Sequence, residues 1–461
     1  MTSFNKDLTL RETDIDGLFI VDFPVHGDNR GWFKENWQRE KMTALGLPDL
    51  GPVQNNMSFN ALAGTTRGLH AEPWDKFVSV GTGAVFGAWC DLREGSPTFG
   101  AVVTTEISPD VGVYVPRGVA NGFQALEDDT LYTYLVNDHW SPEATYSNVN
   151  LADPALGITW PLPLTELSEK DKNHPVLTEA SPVAPRKVLV TGAAGQLGTA
   201  LRVAFPDAEF VGRDELDITS PNLGSARAWK QYSAIINAAA YTGVDAAEGE
   251  GRAAAWAVNA TAVSNLARVA ADNGLTLVHI SSDYVFDGTA DGDYPEDAPL
   301  SPLGVYGQTK AAGDIAATLC PRHYIVRTSW VIGDGSNFVR TMASLDARGI
   351  TPSVVNDQFG RLSFTQDIAA GIKHLLDSGA ECGTYNLSNS GEPASWADIA
   401  RVVFHDPASV TGVSTAAYFA DKPDAAPRPL NSALDLSKLA ATGFQAPEWR
   451  ERLATYLEGL N

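Results

Sequence analysis

Two residues four positions apart, Tyr306 and Lys310, could do chemistry together, because on a helix that spacing puts both side chains on one face. A free phenol titrates near 10 and carries protons poorly at neutral pH. A cation one turn away would stabilise the phenolate and bring it toward working range. Such a tyrosine can protonate a ketone oxygen as hydride arrives at its carbon. Ser282, closing the apolar run 275–281, is where a hydroxyl that binds the same oxygen belongs. Upstream, Gly192, Gly195 and Gly198 form a G-x-x-G-x-x-G turn after a Val-rich run. Glycines there let backbone N–H groups at a helix N-terminus approach a dinucleotide pyrophosphate, with Gln196 and Leu197 in the same turn. Segment 212–218 follows the second strand and sets Arg213 and Asp217 beside the cofactor. Arg213 could pair with a 2′-phosphate, which favours NADPH and leaves NADH open. The order of these features predicts nicotinamide-dependent carbonyl chemistry.

These residues need elements to hold them. Residues 187–461 alternate apolar strands (188–191, 234–237, 275–281, 324–327) with Ala-rich helical stretches such as 252–273. That is the βαβ grammar of a doubly wound parallel α/β sheet, a Rossmann fold. Residues 1–173 differ: short alternating runs at 17–23, 76–80, 84–92, 111–115 and 130–136 are broken by Gly, Pro and Asp. Many strands with few helical patterns predict an all-β sandwich, jelly roll or barrel. Between them, 174–186 carries prolines and little periodicity, so it is expected to be a stiff linker.

At 461 residues the chain has room for two to three domains. A formal charge of −23 argues against nucleic acid, whose binding rests on Lys and Arg neutralising phosphates. Cys90, Cys320 and Cys382 are scattered without CxxC spacing, which excludes a disulfide framework and a thiolate zinc site and fits a reducing cytosol. No stretch has the length of apolar sequence that a membrane span needs, and residues 1–7 lack the apolar core of a signal peptide. A cytoplasmic protein is expected.

The C-terminal half resembles the dTDP-4-dehydrorhamnose reductase family of extended short-chain dehydrogenases, through blocks 237–248, 282–288, 327–331, 356–360 and 428–435. The resemblance implies a small substrate-binding subdomain. It puts Ala239, Ala240 and Tyr241 along the cofactor, Trp330 against the sugar, and Asn337, Arg361 and Arg428 near the nucleotide-sugar. Arg361 stands where the family usually has Pro.

The N-terminal half carries Arg67-Gly-Leu-His70, Lys76, Tyr134, Trp160-Pro161 and the run from Leu167 to Asp171, flanked by blocks 27–33, 54–58, 91–100 and 115–123. Taken alone, His70 reads more simply as a structural histidine. The pattern resembles the dTDP-4-dehydrorhamnose 3,5-epimerase family, a cupin-like jelly-roll dimer. The resemblance implies His70 as base, oriented by Asp171, with Lys76 stabilising an enolate and Tyr134 as the acid across the ring. It further implies Arg30 and Arg67 on the diphosphate, with Gln54 and Asn56 as substrate contacts. Three departures stand out: Asn121 replaces a usual His, the loop from His70 to Lys76 is short, and Trp140 replaces a Tyr. No metal is expected.

Together the two halves predict consecutive steps on one dTDP-linked 4-keto-6-deoxy sugar, ending in dTDP-L-rhamnose, with a homodimer formed through the β module. The alternatives are a reductase whose epimerase module is altered or inactive, a synthase of another dTDP-6-deoxy sugar, and a non-catalytic nucleotide-binding regulatory subunit.

Overall fold

The computed structural model describes residues 6–141 and 146–460, so most of the N-terminal stretch read for a leader lies outside the described residues. The chain divides into two compact units, Met1–Pro185 and Arg186–Asn461.

In the first unit two antiparallel sheets share a core. One has the strand order Thr9–Glu12, Phe19–Asp22, Val111–Val115, Lys76–Thr82, Thr130–Val136, Gln54–Asn60. The other runs Ser147–Asn148, Thr66–Ala71, Val119–Ala125, Val85–Asp91, Val102–Ile107. Ile20, Val78, Val80 and Val113 from the first meet Val85, Trp89, Val119 and Phe123 from the second. Period-two alternation sends these residues inward, and their burial is what holds the sheets face to face.

The stretch expected to be a linker is instead part of this unit up to about residue 183. His174 and Ala180 are buried, Leu177–Glu179 forms a 3₁₀ turn, and the Val183 N–H bonds the Leu92 carbonyl at 2.7 Å. Proline spacing does not reveal that the apolar side chains between the prolines have a sheet to cover.

The second unit is built on six parallel strands in the order Glu209–Val211, Lys187–Thr191, Tyr232–Asn237, Thr276–Ser282, His323–Thr328, Gly383–Asn386. Ile235, Leu277 and Ile325 pack on one face with helix Ala262–Asn273. Their neighbours Ile236, Val278 and Val326 pack on the other with Gln196–Ala204 and Thr365–Asp377. Burial on both faces explains why these strands read as continuous apolar runs. A smaller core gathers Val339, Met342, Val354, Ile399 and Trp449, from helices Phe338–Ala347, Trp396–Val403 and Trp449–Glu458 and a short strand.

The helix expected over 252–273 is interrupted: Arg252–Trp256 runs into a π-turn, Ala257–Thr261, before Ala262–Asn273. The wider turn carries the buried Asn259, which accepts from the Tyr241 N–H at 2.9 Å and donates to the Tyr241 carbonyl at 3.0 Å and Thr309 Oγ1 at 3.1 Å. π-turns inside helices concentrate at functional sites, and this one fixes the loop that bears Ala239–Tyr241. Among the described residues no helix is long and apolar enough to cross a membrane.

Candidate active sites

In the first unit His70 sits on strand Thr66–Ala71, directly opposite Asn121 of Val119–Ala125. Asp171 comes from the short helix Glu169–Lys172, started by Ser168, whose hydroxyl accepts the Asp171 N–H at 3.0 Å. That cap turns the carboxylate onto His70, with Nε2 and Asp171 Oδ1 2.8 Å apart, while Oδ2 accepts the Gly68 N–H at 3.4 Å. Burial alone would raise the Asp171 carboxyl, but the His70 contact and the Gly68 N–H overcome it and hold it below the usual range. The pair therefore carries its negative charge where the imidazole can use it. Arg67, His70 and Asp171 line a cavity of about 430 Å³ with Glu166 and Lys170.

Across the sandwich, Asn121 Oδ1 accepts from the Tyr132 hydroxyl at 3.2 Å, and the Tyr132 ring lies 6.1 Å from that of Tyr134. Lys76 is buried, with Nζ 5.6 Å from the Tyr134 ring centre and 2.7 Å from Glu72 Oε2. Glu72 also accepts the Trp74 indole N–H at 2.7 Å, so the short loop is tied to Lys76 from within. Burial, then Glu72, push the Tyr134 phenol up, so it is a proton-bearing group at neutral pH. Asn56 stands opposite Tyr134 on strand Gln54–Asn60 and bonds the Gln54 amide at 2.9 Å. Arg67 Nε donates to Asn60 Oδ1 at 3.1 Å.

Arg30 is not brought to this constellation by its own chain. It lies at the tip of the hairpin His26–Asp28/Gly31–Phe33, exposed, with Nε 3.1 Å from Asp28 Oδ2. Glu72 and His174 were missed. Glu72 could have been found from its i,i+4 spacing to Lys76, but His174 lay in the supposed linker and gave no signal. Its ring meets that of His70 edge-on at 5.2 Å between centres, and its Nε2 is 3.7 Å from Asp171 Oδ1.

In the second unit the glycine turn tests well as a dinucleotide cradle. Gly192 has φ +74°, and a Cβ there would stand 2.6 Å from the backbone of Ala238 and Ala239. A Cβ on Gly198 would overlap the Gly192 carbonyl oxygen. Gly195 caps helix Gln196–Ala204 with no side-chain bond, leaving the first-turn N–H groups to an outside acceptor. Gln196 begins the helix with Leu197 next, Gln196 Oε1 is buried without a partner, and Ala239, Ala240 and Tyr241 lie in the loop alongside. Arg213 is exposed after strand Glu209–Val211 and acts by charge on Asp217, whose carboxylate accepts from Thr219.

Tyr306 and Lys310 share helix Val305–Ala317, and Ser282 ends the neighbouring strand. Lys310 is buried, its Nζ donating to the Ile280 carbonyl at 2.6 Å, and burial pulls it down to about 8. The expected lowering of Tyr306 by Lys310 is corrected here. Burial and the charge of Asp283 push the phenol up to about 12, with only the Ser282 hydroxyl drawing it back. Asp283, missed although adjacent to Ser282, accepts the Ser282 hydroxyl at 2.9 Å. Burial pushes Asp283 itself up to about 6, and its Oδ2 has no partner.

A cavity of about 740 Å³ is walled by Asp245, Phe338, Trp396, Tyr418, Phe419 and Arg428, among others. Arg428 bonds Asp245 at 2.8 Å and acts by charge on Tyr284, whose ring meets Tyr306 edge-on at 5.4 Å. Trp330 does not line this cavity. Its ring stacks on that of Trp396 with centres 3.7 Å apart, and Trp396 faces the opening. Asn337 is likewise corrected: it caps helix Phe338–Ala347, accepting from Arg340 N at 3.0 Å and bonding Gly333 and Tyr456. Arg361 is buried against the carbonyls of Gly391 and Leu434 and Asp293 Oδ2.

Known proteins resemble each unit separately. The model of the dTDP-4-dehydrorhamnose 3,5-epimerase family matches residues 12–179, and that of the RmlD substrate-binding domain matches 186–461. An RmlC homolog of Streptococcus pyogenes is 54% identical over 40% of this chain and 98% of its own length. A dTDP-4-dehydrorhamnose reductase of Aggregatibacter actinomycetemcomitans is 38% identical over 58% of this chain and 97% of its own. The solved dTDP-4-dehydrorhamnose reductase of Bacillus anthracis, in complex with NADP, is 34% identical with a TM-score of 0.55, covering 60% of this chain and 99% of that one.

Proposed function

The chain belongs to the dTDP-4-dehydrorhamnose 3,5-epimerase family through its first unit and to the RmlD reductase family through its second, and we propose that it carries out both reactions in sequence. It epimerises dTDP-4-keto-6-deoxyglucose and reduces the product to dTDP-L-rhamnose with NADPH, in the cytoplasm. The observation that carries this reading is that each unit of one chain holds a complete acid–base set: His70 with Asp171, Lys76 and Tyr134 in the first, Ser282, Tyr306 and Lys310 in the second. We read the first unit as a cupin-like jelly roll and the second as a Rossmann fold with a substrate-binding subdomain.

In the epimerase site, C3–H and C5–H are acidic because each carbon adjoins the C4 ketone. With its Nε2–H donated to Asp171, His70 keeps a lone pair on Nδ1, which takes the proton. Lys76 meets the negative charge on the enolate oxygen, and Tyr134 returns a proton to the opposite face. Arg67 holds the diphosphate by charge-assisted hydrogen bonds.

In the reductase site the nicotinamide, when bound, supplies hydride to C4. Gly192, Gly195, Gln196 and Leu197 hold the pyrophosphate, Arg213 the 2′-phosphate, and Ala239–Tyr241 the adjoining face. Ser282 and Tyr306 hydrogen-bond the C4 oxygen, and Tyr306 protonates it. A phenol that titrates near 12 is fully protonated at neutral pH, which suits a proton donor. Lys310 sits behind as the buried cation, and the cavity walled by Trp396 and Arg428 takes the nucleotide-sugar.

We further propose a homodimer through the first unit. The edge strand Gln54–Asn60 turns Met57 and Phe59 to solvent, 68% and 60% exposed, beside unpaired backbone that a second copy would cover.

The test is the purified chain mixed with dTDP-4-keto-6-deoxy-D-glucose and NADPH and no other epimerase. Loss of reduced-nicotinamide absorbance with dTDP-L-rhamnose as product supports both activities. Oxidation only after a separate epimerase is added leaves a reductase alone, and a different product stereochemistry makes it another sugar's synthase.

A further inference from the structure

His174 is the least explained buried group in the first unit. It is 5% exposed, and neither ring nitrogen has a hydrogen-bond partner. A buried polar group without a partner costs free energy, so its persistence calls for a ligand or a role. Its Nε2 is 3.7 Å from Asp171 Oδ1, and the same oxygen lies 2.8 Å from His70 Nε2. One donor atom from each of the three residues lies within 4.8 Å of the others. A tetrahedral zinc ion with bonds of about 2.0–2.2 Å holds its ligand atoms roughly 3.3 Å apart. The two measured separations bracket that value. A small closing of the His174 ring would complete three positions, and the 430 Å³ cavity that His70 and Asp171 line leaves the fourth open to solvent and gives a route in.

We propose that His70, Asp171 and His174 form an inhibitory site for a zinc-like divalent cation, resting on the reading of His70 as the epimerase base. The logic is one of tautomers. Coordination needs the lone pair of His70 Nε2, so the single ring proton moves from Nε2 to Nδ1. Nδ1 then carries hydrogen and has no lone pair with which to take a carbon-bound proton. The cation also replaces the hydrogen bond to Asp171. Metal binding and epimerisation therefore exclude each other, while the second unit has no share in these ligands. His174 takes no part in the proposed chemistry, so its loss removes the switch and leaves the reaction.

The full chain, stripped with a chelator, would be titrated with zinc chloride while the imidazole nitrogens of its 8 histidines are followed by 1H–15N correlation. Epimerisation would be read without NADPH, as solvent deuterium entering the keto sugar. The expected result is one tight equivalent that shifts the His70 and His174 spin systems, with the His70 shift lost in H174Q. Zinc should cut deuterium entry at least tenfold in the wild type, and His174→Gln should need at least tenfold more zinc for the same loss. Unshifted His70 and His174 resonances, or equal inhibition of H174Q, would overturn the site. The resonances judge the wild type directly, so a variant that misfolds does not shield the proposal. A metal-free wild type that incorporates no deuterium would instead sink the epimerase reading and leave the metal site to the resonances.

Discussion

The two sites handle charge in opposite ways. In the first unit the titrating groups come paired: His70 with Asp171, Lys76 with Glu72. In the second they lack an ion-pair partner: Lys310 Nζ donates to the Ile280 carbonyl, and Asp283 accepts from the neutral Ser282 hydroxyl through Oδ1 while its Oδ2 is bonded to nothing. Pairing keeps Asp171 ionised despite its burial, whereas isolation drives Asp283 and Lys310 toward their neutral forms. Proton abstraction from carbon needs a standing base, and the first arrangement supplies one. Proton delivery to an oxygen needs a group that keeps its proton until the carbonyl arrives, and the second arrangement supplies that.

The sharpest way to break this contrast is Tyr306→Phe. It should cut NADPH oxidation by about 10²–10⁴-fold while deuterium entry at the first site is unchanged. His70→Asn should do the reverse, removing deuterium entry by about 10²-fold or more, with NADPH oxidation restored by an added epimerase. If either variant silences both assays, the sites do not act independently.

Stability against pH should separate the units next. Asp283 titrates near 6 when folded, above the ordinary carboxylate value, so its contribution is fully present at low pH and lost as pH rises through about 6. Asp283→Asn should therefore stabilise the second unit at pH 7 by about 2–3 kcal/mol and leave it unchanged near pH 4, while slowing reduction. Asp91 is its mirror image. Burial would raise it, but bonds from Arg93, Ser96 and Thr98 hold it at about 2. Its stabilisation is present above the ordinary carboxylate value and lost as pH falls toward 2. Asp91→Asn should cost the first unit about 2 kcal/mol at neutral pH and flatten its acid unfolding. Thermal unfolding across pH, read by unit, checks both. The smallest effect is expected at Asn337. As a helix cap its change to Ala should cost about 1 kcal/mol and leave KM for the sugar nucleotide where it was, whereas Arg428→Ala should raise that KM.

Much of this was legible in the chain because chemistry and local geometry coincide in it. Gly192 and Gly198 are glycine for reasons of space, and Tyr306 and Lys310 share a helix face, so spacing alone located them. The apolar runs 76–80 and 130–136 marked strands because both lie inside the sheet, 76–80 buried at every position. What stayed hidden depends on partners distant in sequence. Asn337 looks like a ligand until Tyr456 and Gly333 are seen around it. The π-turn at Ala257–Thr261 has the same Ala-rich composition as an ordinary helix, and only Asn259's contacts to Tyr241 and Thr309 explain the insertion. His174 sits among prolines, and no periodicity announces a buried imidazole there.

Trp330 adopts φ +45°, in the left-handed region that costs an L-residue with a bulky side chain on the order of 1–2 kcal/mol. The stack on Trp396 and the close approach of Gly360 to the Trp330 ring are what hold it there. The cavity wall at Trp396 is thus the visible half of a two-ring unit whose other half, the Trp330 ring, is held by a constrained backbone. Anyone reshaping this cavity would meet that as epistasis. Libraries that vary position 396 alone would return mostly losses, and useful variants would arise only where 330 and 396 change together.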